Sequence, residues 1–302
     1  MKIGWWLRIA GSGAILAALA LSLGLLNNNV SLTGRPSRAQ FVGELDRTIA
    51  RSTEWALQQY GQAQTEDGAT LEGRGLISNA TAAHMIVDSA SLSSDPRMKM
   101  LGSGFVEAWK EKASALGKIV DPALSTNPLS SHEIQSLQEY QRWILYGASP
   151  NEFPLVSGER EHMFAADRRR TGKATHQLLA LYFYRKSSGS TPELDRLMTK
   201  IEERIAWEAA LDFRVTDLYL QRLAFLLAAG RPDLIKRRWV ERALAAQQSD
   251  GGWLKTWHGW TRKPWRFSNR DELSSGHSTA QAMWMAHMLK YRYPQWIVEN
   301  YR

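Results

Sequence analysis

Apolar positions recur along this chain with helical rather than strand spacing, and two kinds of helix alternate. The outer kind is amphipathic. In the stretch opened by Ser190-Thr191-Pro192-Glu193, a helix start signal, Leu194, Met198, Ile201 and Ile205 form one apolar stripe, while Lys200, Glu203 and Arg204 lie off it. The inner kind is apolar nearly all round, as expected of helices walled in by neighbours. Its members are Ala82-Ala83-His84-Met85-Ile86, Ala174-Thr175-His176-Gln177-Leu178, Tyr219-Leu220-Gln221-Arg222-Leu223 and Thr279-Ala280-Gln281-Ala282-Met283. They align on one polar residue, at 84, 176, 221 and 281, with gaps of 92, 45 and 60 residues. A gap of 92 is two units of 46, so a further inner helix is expected to begin at Ser131-His132-Glu133 and run to about Tyr146. The outer partners are predicted at 38–63, 97–117, 151–168, 191–208 and 232–248.

Helix pairs repeating at this period fit an open solenoid or a closed ring. A solenoid would have amphipathic helices in both layers, whereas one layer here is markedly more apolar. The predicted fold class is therefore all-α, an α/α toroid of about five to six helical hairpins over residues 38–302. The last gap exceeds the period by about 15 residues and leaves an aromatic and basic insertion within 253–275. Long loops in compact domains are often functional.

Ahead of the toroid, Lys2 and Arg8 precede Ile9 to Leu26, 18 residues without a charge. That is near the lower limit for a helix crossing the hydrocarbon core. Trp5 and Trp6 stand where an interfacial aromatic belt would place them. A cleaved signal peptide is the alternative, but the run ends in Leu25-Leu26-Asn27-Asn28-Asn29 with no convincing small-x-small site. The expectation is a retained signal anchor: 1–8 cytoplasmic, 9–26 transmembrane, 27–37 a short linker, 38–302 outside the cytoplasm. The protein would then be a single-pass component of the inner membrane with its bulk periplasmic or extracytoplasmic, although Arg35 and Arg38 oppose that orientation.

Composition narrows the chemistry. With no Cys, disulfides, thiolate metal sites and Cys nucleophiles are excluded. A net charge of +8 favours anionic partners. The basic residues are scattered apart from Arg168-Arg169-Arg170 and Lys236-Arg237-Arg238, and no RNP, zinc-finger or basic-zipper pattern occurs, so nucleic acid is not an expected partner. The 13 Trp suit a sugar-stacking cleft or a helical core. Phosphate loops and Ser-centred nucleophile elbows are missing, and no cofactor is expected. His84 and His176 occupy repeat positions where other units carry Gln, which marks them as buried polar residues rather than metal ligands. No metal is expected.

The run Ala243-Leu244-Ala245-Ala246-Gln247-Gln248-Ser249-Asp250-Gly251-Gly252-Trp253 resembles the Gln-Trp repeat of α/α-toroid proteins such as terpenoid cyclases, in which the Gln ends an outer helix and the Trp stacks after the turn. Together with Glu272-Leu273-Ser274-Ser275-Gly276-His277 leading into Trp284, it is also similar to six-hairpin carbohydrate enzymes: unsaturated-uronyl hydrolases and related lyases and epimerases. Trp55 to Gln59, Asp67-Gly68 and Ser78-Asn79 form a weaker echo. The resemblance covers two hairpins and implies architecture more than activity. The Asp-rich motifs of terpenoid cyclases and synthases are absent, which puts a terpenoid-processing role third.

The resemblance implies a site at the mouth where inner helices begin. A glycosidase needs two carboxylates, and Glu72, Asp217 and Asp250 are the candidates, Asp250 having the plainer alternative of capping its own turn. A lyase or epimerase needs a base and a group that neutralises a uronate, which His258 or His277 with Arg266 would supply. Trp257, Trp260, Arg266 and Arg74 are the candidate substrate-binding residues. The expected function is that of a membrane-anchored extracytoplasmic protein acting on or binding an envelope or exported polysaccharide, acidic ones included, by lyase, hydrolase or epimerase chemistry. The alternative is a non-catalytic binding or assembly component of an envelope complex.

Overall fold

Several helices in this chain start where the sequence supplies side chains for the orphan backbone N–H groups of a first turn. Ser37 N donates to Gln40 Oε1 (2.8 Å) while Gln40 N donates to Ser37 Oγ (3.2 Å), a capping box. Asn79 Oδ1 accepts from Thr81 N and Ala82 N, and Asp95 and Thr191 cap helices whose first residue is proline. The computed structural model describes residues 18–31, 34, 36–63, 79–155, 158–166, 173–254 and 274–302. In chain order the helices are α1 (residues 18–29), α2 (Arg38–Ala63), α3 (Ala80–Leu92), α4 (Pro96–Lys112), α5 (Gly117–Val120), α6 (Ser131–Ser136) and α7 (Glu139–Ala148). They continue with α8 (Glu159–Met163), α9 (Lys173–Ser188), α10 (Pro192–Leu211), α11 (Asp217–Ala229), α12 (Arg237–Ala245), α13 (Gly276–His287) and α14 (Pro294–Asn300). The fold is all-α: no strand occurs among the described residues beyond one bridge, Leu254 to Ser274.

The predicted inner helices pack on one another. α13 lies against α3 and α11, α11 against α9, and α9 against α7, while the short α5 touches both α7 and α3. The amphipathic α2, α4 and α10 cover them from outside. At the centre Trp284 of α13 is fully buried, its ring 5.7 Å from His84, 6.5 Å from Tyr182 and 6.3 Å from Phe225, on α3, α9 and α11. Its indole N–H donates to Asp88 Oδ2 (2.6 Å). The two ends of the domain meet, with Arg38 N donating to Arg302 O (2.9 Å) and Phe41 stacked on Tyr301 at 3.9 Å.

The Gln-Trp turn joins the last outer helix to the first. Gln247 Nε2 donates to Thr48 O on α2 (3.0 Å) and to Gly251 O (2.8 Å), while Trp253 Nε1 donates to Ala243 O (2.7 Å) and Trp253 is buried. Gly251 sits at φ 97°, and a Cβ there would press on the Arg51 carbonyl oxygen. Gly251→Ala is therefore expected to destabilise the domain by about 3 kcal/mol, from left-handed strain plus backbone overpacking. Urea denaturation checks this as a lowered midpoint with an unchanged slope.

Several sequence expectations are corrected. The inner helix expected to run unbroken from Ser131 to Tyr146 is two helices, α6 and α7. Leu137 is extended (φ −68°, ψ 142°), Gln141 Oε1 takes the Gln138 N–H (2.8 Å) and the Arg142 guanidinium takes the Leu137 carbonyl. Local side chains thus satisfy the backbone groups that a continuous helix would pair internally. The outer helix expected at 151–168 contracts, among the described residues, to Glu159–Met163. Gly158 precedes it with φ 86°, a left-handed break. The outer helix expected at 97–117 ends at Lys112, where Ala113 turns left-handed (φ 45°). Residues 27–37, expected as a linker, are helical as far as residue 29. Residues 9–17 of the expected anchor lie outside the described residues, and no helix among the described residues is long and apolar enough to cross a membrane.

Candidate functional site

The C-terminal ends of the inner helices are tied off. Arg292 pairs with Asp88 (3.0 Å), Arg185 Nη2 donates to Ala229 O (2.8 Å) and Tyr293 Oη donates to Leu227 O (2.7 Å). A second set of titratable groups gathers in the first turns of neighbouring inner helices. Asp217 is the first residue of α11 and His277 the second of α13, so the packing of α11 on α13 brings their side chains together. Asp217 Oδ1 lies 2.7 Å from His277 Nδ1 and accepts from Ser278 Oγ (2.9 Å). A carboxylate can only accept, so the proton belongs on Nδ1, and Nε2 is the acceptor nitrogen of the neutral ring.

One turn further into each helix stand the aligned glutamines. Gln281 Nε2 is 3.3 Å from the His277 ring nitrogens. Gln221 Oε1 accepts from Thr175 Oγ1 of α9 (2.8 Å), and Gln221 Nε2 is 3.4 Å from His176 Nε2. The His176 ring lies 4.3 Å from that of Tyr140 on α7. Four inner helices thereby contribute polar groups to one end of the bundle. Asp217, Gln221 and Gln281 are buried, while the His277 side chain is 22% exposed, which makes the imidazole the member of the dyad that solvent reaches. Two buried acceptors, Asp217 Oδ2 and Gln281 Oε1, meet no donor among the described residues. Unpaired buried acceptors are costly and call for an explanation.

Burial of the His277 ring opposes its protonation, but the charge and hydrogen bond of Asp217 outweigh burial and hold its pKa above the ordinary value. Burial likewise opposes ionisation of Asp217, and His277, Ser278 and His176 together overcome it and hold the carboxyl below its usual range. The dyad's contribution to stability is present above pH 3.8 and lost as pH falls through the lowered Asp217 value. It is also present below pH 6.5 and lost as pH rises through the raised His277 value.

Of the residues predicted from sequence, His277 and Asp217 meet. Asp250 does not join them: its Oδ1 accepts from Gly252 N (3.0 Å) and Ser274 Oγ (2.8 Å), the turn-capping alternative. Glu72, Arg74, Trp257, His258, Trp260 and Arg266 lie outside the described residues. The insertion that carries four of them leaves and re-enters at one place, since Leu254 bridges Ser274 and Ser275 N donates to Trp253 O (2.7 Å). Gln221 and Gln281 mark only the register of the inner helices in the sequence, and His176, expected there as a buried polar residue, is partly buried; a polar residue recurring at one inner position is the signal that places all three. Ser278, Thr175 and Tyr140 gave none. His84, by contrast, packs edge-on against Phe183 (4.7 Å) and Trp284, and no His or carboxylate cluster suited to a metal occurs among the described residues. A separate concavity of about 400 Å³, lined by Leu129, Ile134, Leu137, Phe153 and Leu155 beside the Arg142–Glu159 pair, contains none of the dyad's groups. Comparison with protein families, curated proteins and solved structures finds no match.

Proposed function

We propose that this is a membrane-anchored, extracytoplasmic α/α-toroid protein that acts on an acidic envelope or exported polysaccharide by proton abstraction, as a lyase or epimerase does. The toroid reading is supported by the order of inner-helix packing, α3–α13–α11–α9–α7 with α5 between α7 and α3, and by the meeting of the two chain ends. The observation that carries the activity is the Asp217–His277 dyad at one end of that bundle, beside two buried acceptors that meet no donor among the described residues.

A carboxylate on Nδ1 orients the ring and raises its basicity, so Nε2 is the atom to take a proton from carbon next to a uronate carboxyl. The pKa raised by Asp217 is that of a ring made more basic by its carboxylate partner. Hydrolysis is less well supported, because two carboxylates across a cleft are required and the cluster as described contains one, Asp217. The neutral lining of Gln221, Gln281 and Thr175 favours the second reading, a binding protein with no chemistry.

The test is incubation of the full chain in detergent with uronate-containing and neutral polysaccharides, following binding and the ultraviolet absorbance of an unsaturated product or exchange of carbon-bound hydrogen with solvent. His277→Ala is expected to abolish turnover and leave binding largely intact. Binding without turnover in the unaltered chain selects the second reading, and absence of both on every polymer overturns the proposal. Asp217→Asn is expected to lower the His277 pKa, since it removes the charge that raised it. An NMR titration of the ring that finds no downward shift would show that the pair is not coupled.

A further inference from the structure

Three consecutive asparagines bond the end of α1 into the domain. Arg238 donates to Asn27 O (3.0 Å) and Asn27 Oδ1 (2.7 Å). Asn28, fully buried, donates from Nδ2 to Ala209 O (2.9 Å) and Ala210 O (3.0 Å), and its Oδ1 accepts from Tyr219 Oη (3.1 Å) and Arg242. Asn29 donates to Ala210 O (2.8 Å) and accepts from Lys236 Nζ (2.8 Å). Ala209 and Ala210 belong to the last turn of α10, whose carbonyls have no partner inside their own helix. Asn28 and Asn29 therefore act as that helix's C-terminal cap, delivered from a segment some 180 residues away. Gly24 approaches Phe213 so closely that a Cβ there would lie 3.3 Å from the ring. Such a joint fixes the attitude of α1 to the domain in a way that a flexible tether does not.

Beyond the joint α1 is bare. Leu19, Leu21 and Leu23 are 50–61% exposed, and residues 18–23 are exposed on every side. A helix that is apolar all round needs a non-aqueous surrounding. Beside the joint, Leu211 and Trp207, one turn apart on α10, are also exposed, Trp207 at 64%. Trp is the side chain that settles at the level of lipid headgroups, and Lys236 and Arg238 at the joint match anionic headgroups in charge.

We infer that the domain rests directly on a lipid bilayer through the Trp207–Leu211 face of α10, held in that attitude by the Asn27–Asn29 joint. The occupant is argued from the uncharged sequence that continues upstream of α1 to Ile9 and from the exposed apolar residues on α1 and on the end of α10 to which it is bonded. The inference rests on the proposed anchorage and adds a second lipid contact.

The chain has no Cys, so single nitroxide labels are unambiguous. Trp207→Cys, Leu211→Cys and, as an exposed reference, Met100→Cys would be labelled in the full chain and reconstituted into phosphatidylcholine–phosphatidylglycerol vesicles. Flotation reports anchorage, and collision with a water-soluble nickel chelate against oxygen reports the contact. The expected result is co-flotation with loss of nickel access at 207 and 211 but not at 100, and recovery of access at 207 when Asn28→Ala loosens the joint. Floating protein with 207 and 211 as accessible as 100 overturns the contact and leaves anchorage standing. Failure to float overturns both. Protection accompanied by spin–spin broadening between labels at 207 assigns the face to a second copy of the chain and also overturns the inference. Protection that survives Asn28→Ala overturns the role given to the joint.

Discussion

Trp284→Ala is expected to destabilise the domain by about 4 kcal/mol, the middle of the range for truncating a buried aromatic. Trp284 is wholly enclosed and touches rings on three other inner helices, so the cavity cannot be filled by shifting one neighbour. The substitution also takes the indole donor from Asp88, which keeps Arg292 as its partner. Trp284→Phe restores most of the ring volume but not that donor, and about 2 kcal/mol is expected from incomplete packing and the lost hydrogen bond. Equilibrium unfolding in urea measures both. A loss below about 1 kcal/mol for Trp284→Ala would show that the inner helices do not depend on one another through this ring.

Acidification is expected to unfold the domain between about pH 6.5 and 4. Burial pushes the imidazoles of both His84 and His287 down to about 4, overriding the raising effects of Asp88 on His84 and of the Met283 carbonyl on His287. Both rings are neutral in the fold, while the unfolded chain takes up protons from pH 6.5 downward, so stability rises with pH across this window. Each contribution is complete above about pH 6.5 and is lost as pH falls to about 4. A shift of this size corresponds to about 3 kcal/mol per ring, and two such rings approach the whole stability of an ordinary domain. The Asp217–His277 pair behaves differently, since its carboxylate holds out to lower pH and its imidazolium is favoured rather than resisted. Thermal midpoints measured against pH should fall steeply through the window, and His84→Gln with His287→Leu should flatten the fall. An unchanged acid limb in that double variant would place the titration elsewhere.

The polar position used to align the inner helices shows how far the sequence could be read. Because Gln221, Gln281 and His176 recur within apolar surroundings, their helices could be found, and all are helical within a few residues of expectation. The Thr191-Pro192 start and the Gln247 to Trp253 turn were legible for the same reason: each is a local device whose hydrogen bonds run to near neighbours or to the next helix. The segment from Ser131 to Tyr146 misled because apolar periodicity does not register a two-residue break. That break is decided by whether Gln141 and Arg142 turn back onto the backbone of Leu137 and Gln138.

The dyad was half legible. Composition and position nominated His277 and Asp217 separately, each from its place at the start of an inner helix, but they are 60 residues apart and no local rule joins them. Their meeting depends on α11 packing against α13 in a register that sets both first turns level. The asparagines after α1 are the clearest contrast. As sequence they read as a polar linker, because Asn is a turn former. Their binding to Ala209 and Ala210 depends on the end of α10 arriving there with unpaired carbonyls.

By itself the sequence determined that the chain is helical, roughly where the main inner and outer helices lie, and which of them are apolar all round, because these follow from side-chain periodicity and local start signals. Tertiary structure alone decided which helices are neighbours, that a carboxylate lies 2.7 Å from an imidazole, and that the N-terminal helix is bonded to the domain. Those contacts join residues far apart in the chain, and only the packing of whole helices fixes the distances between them.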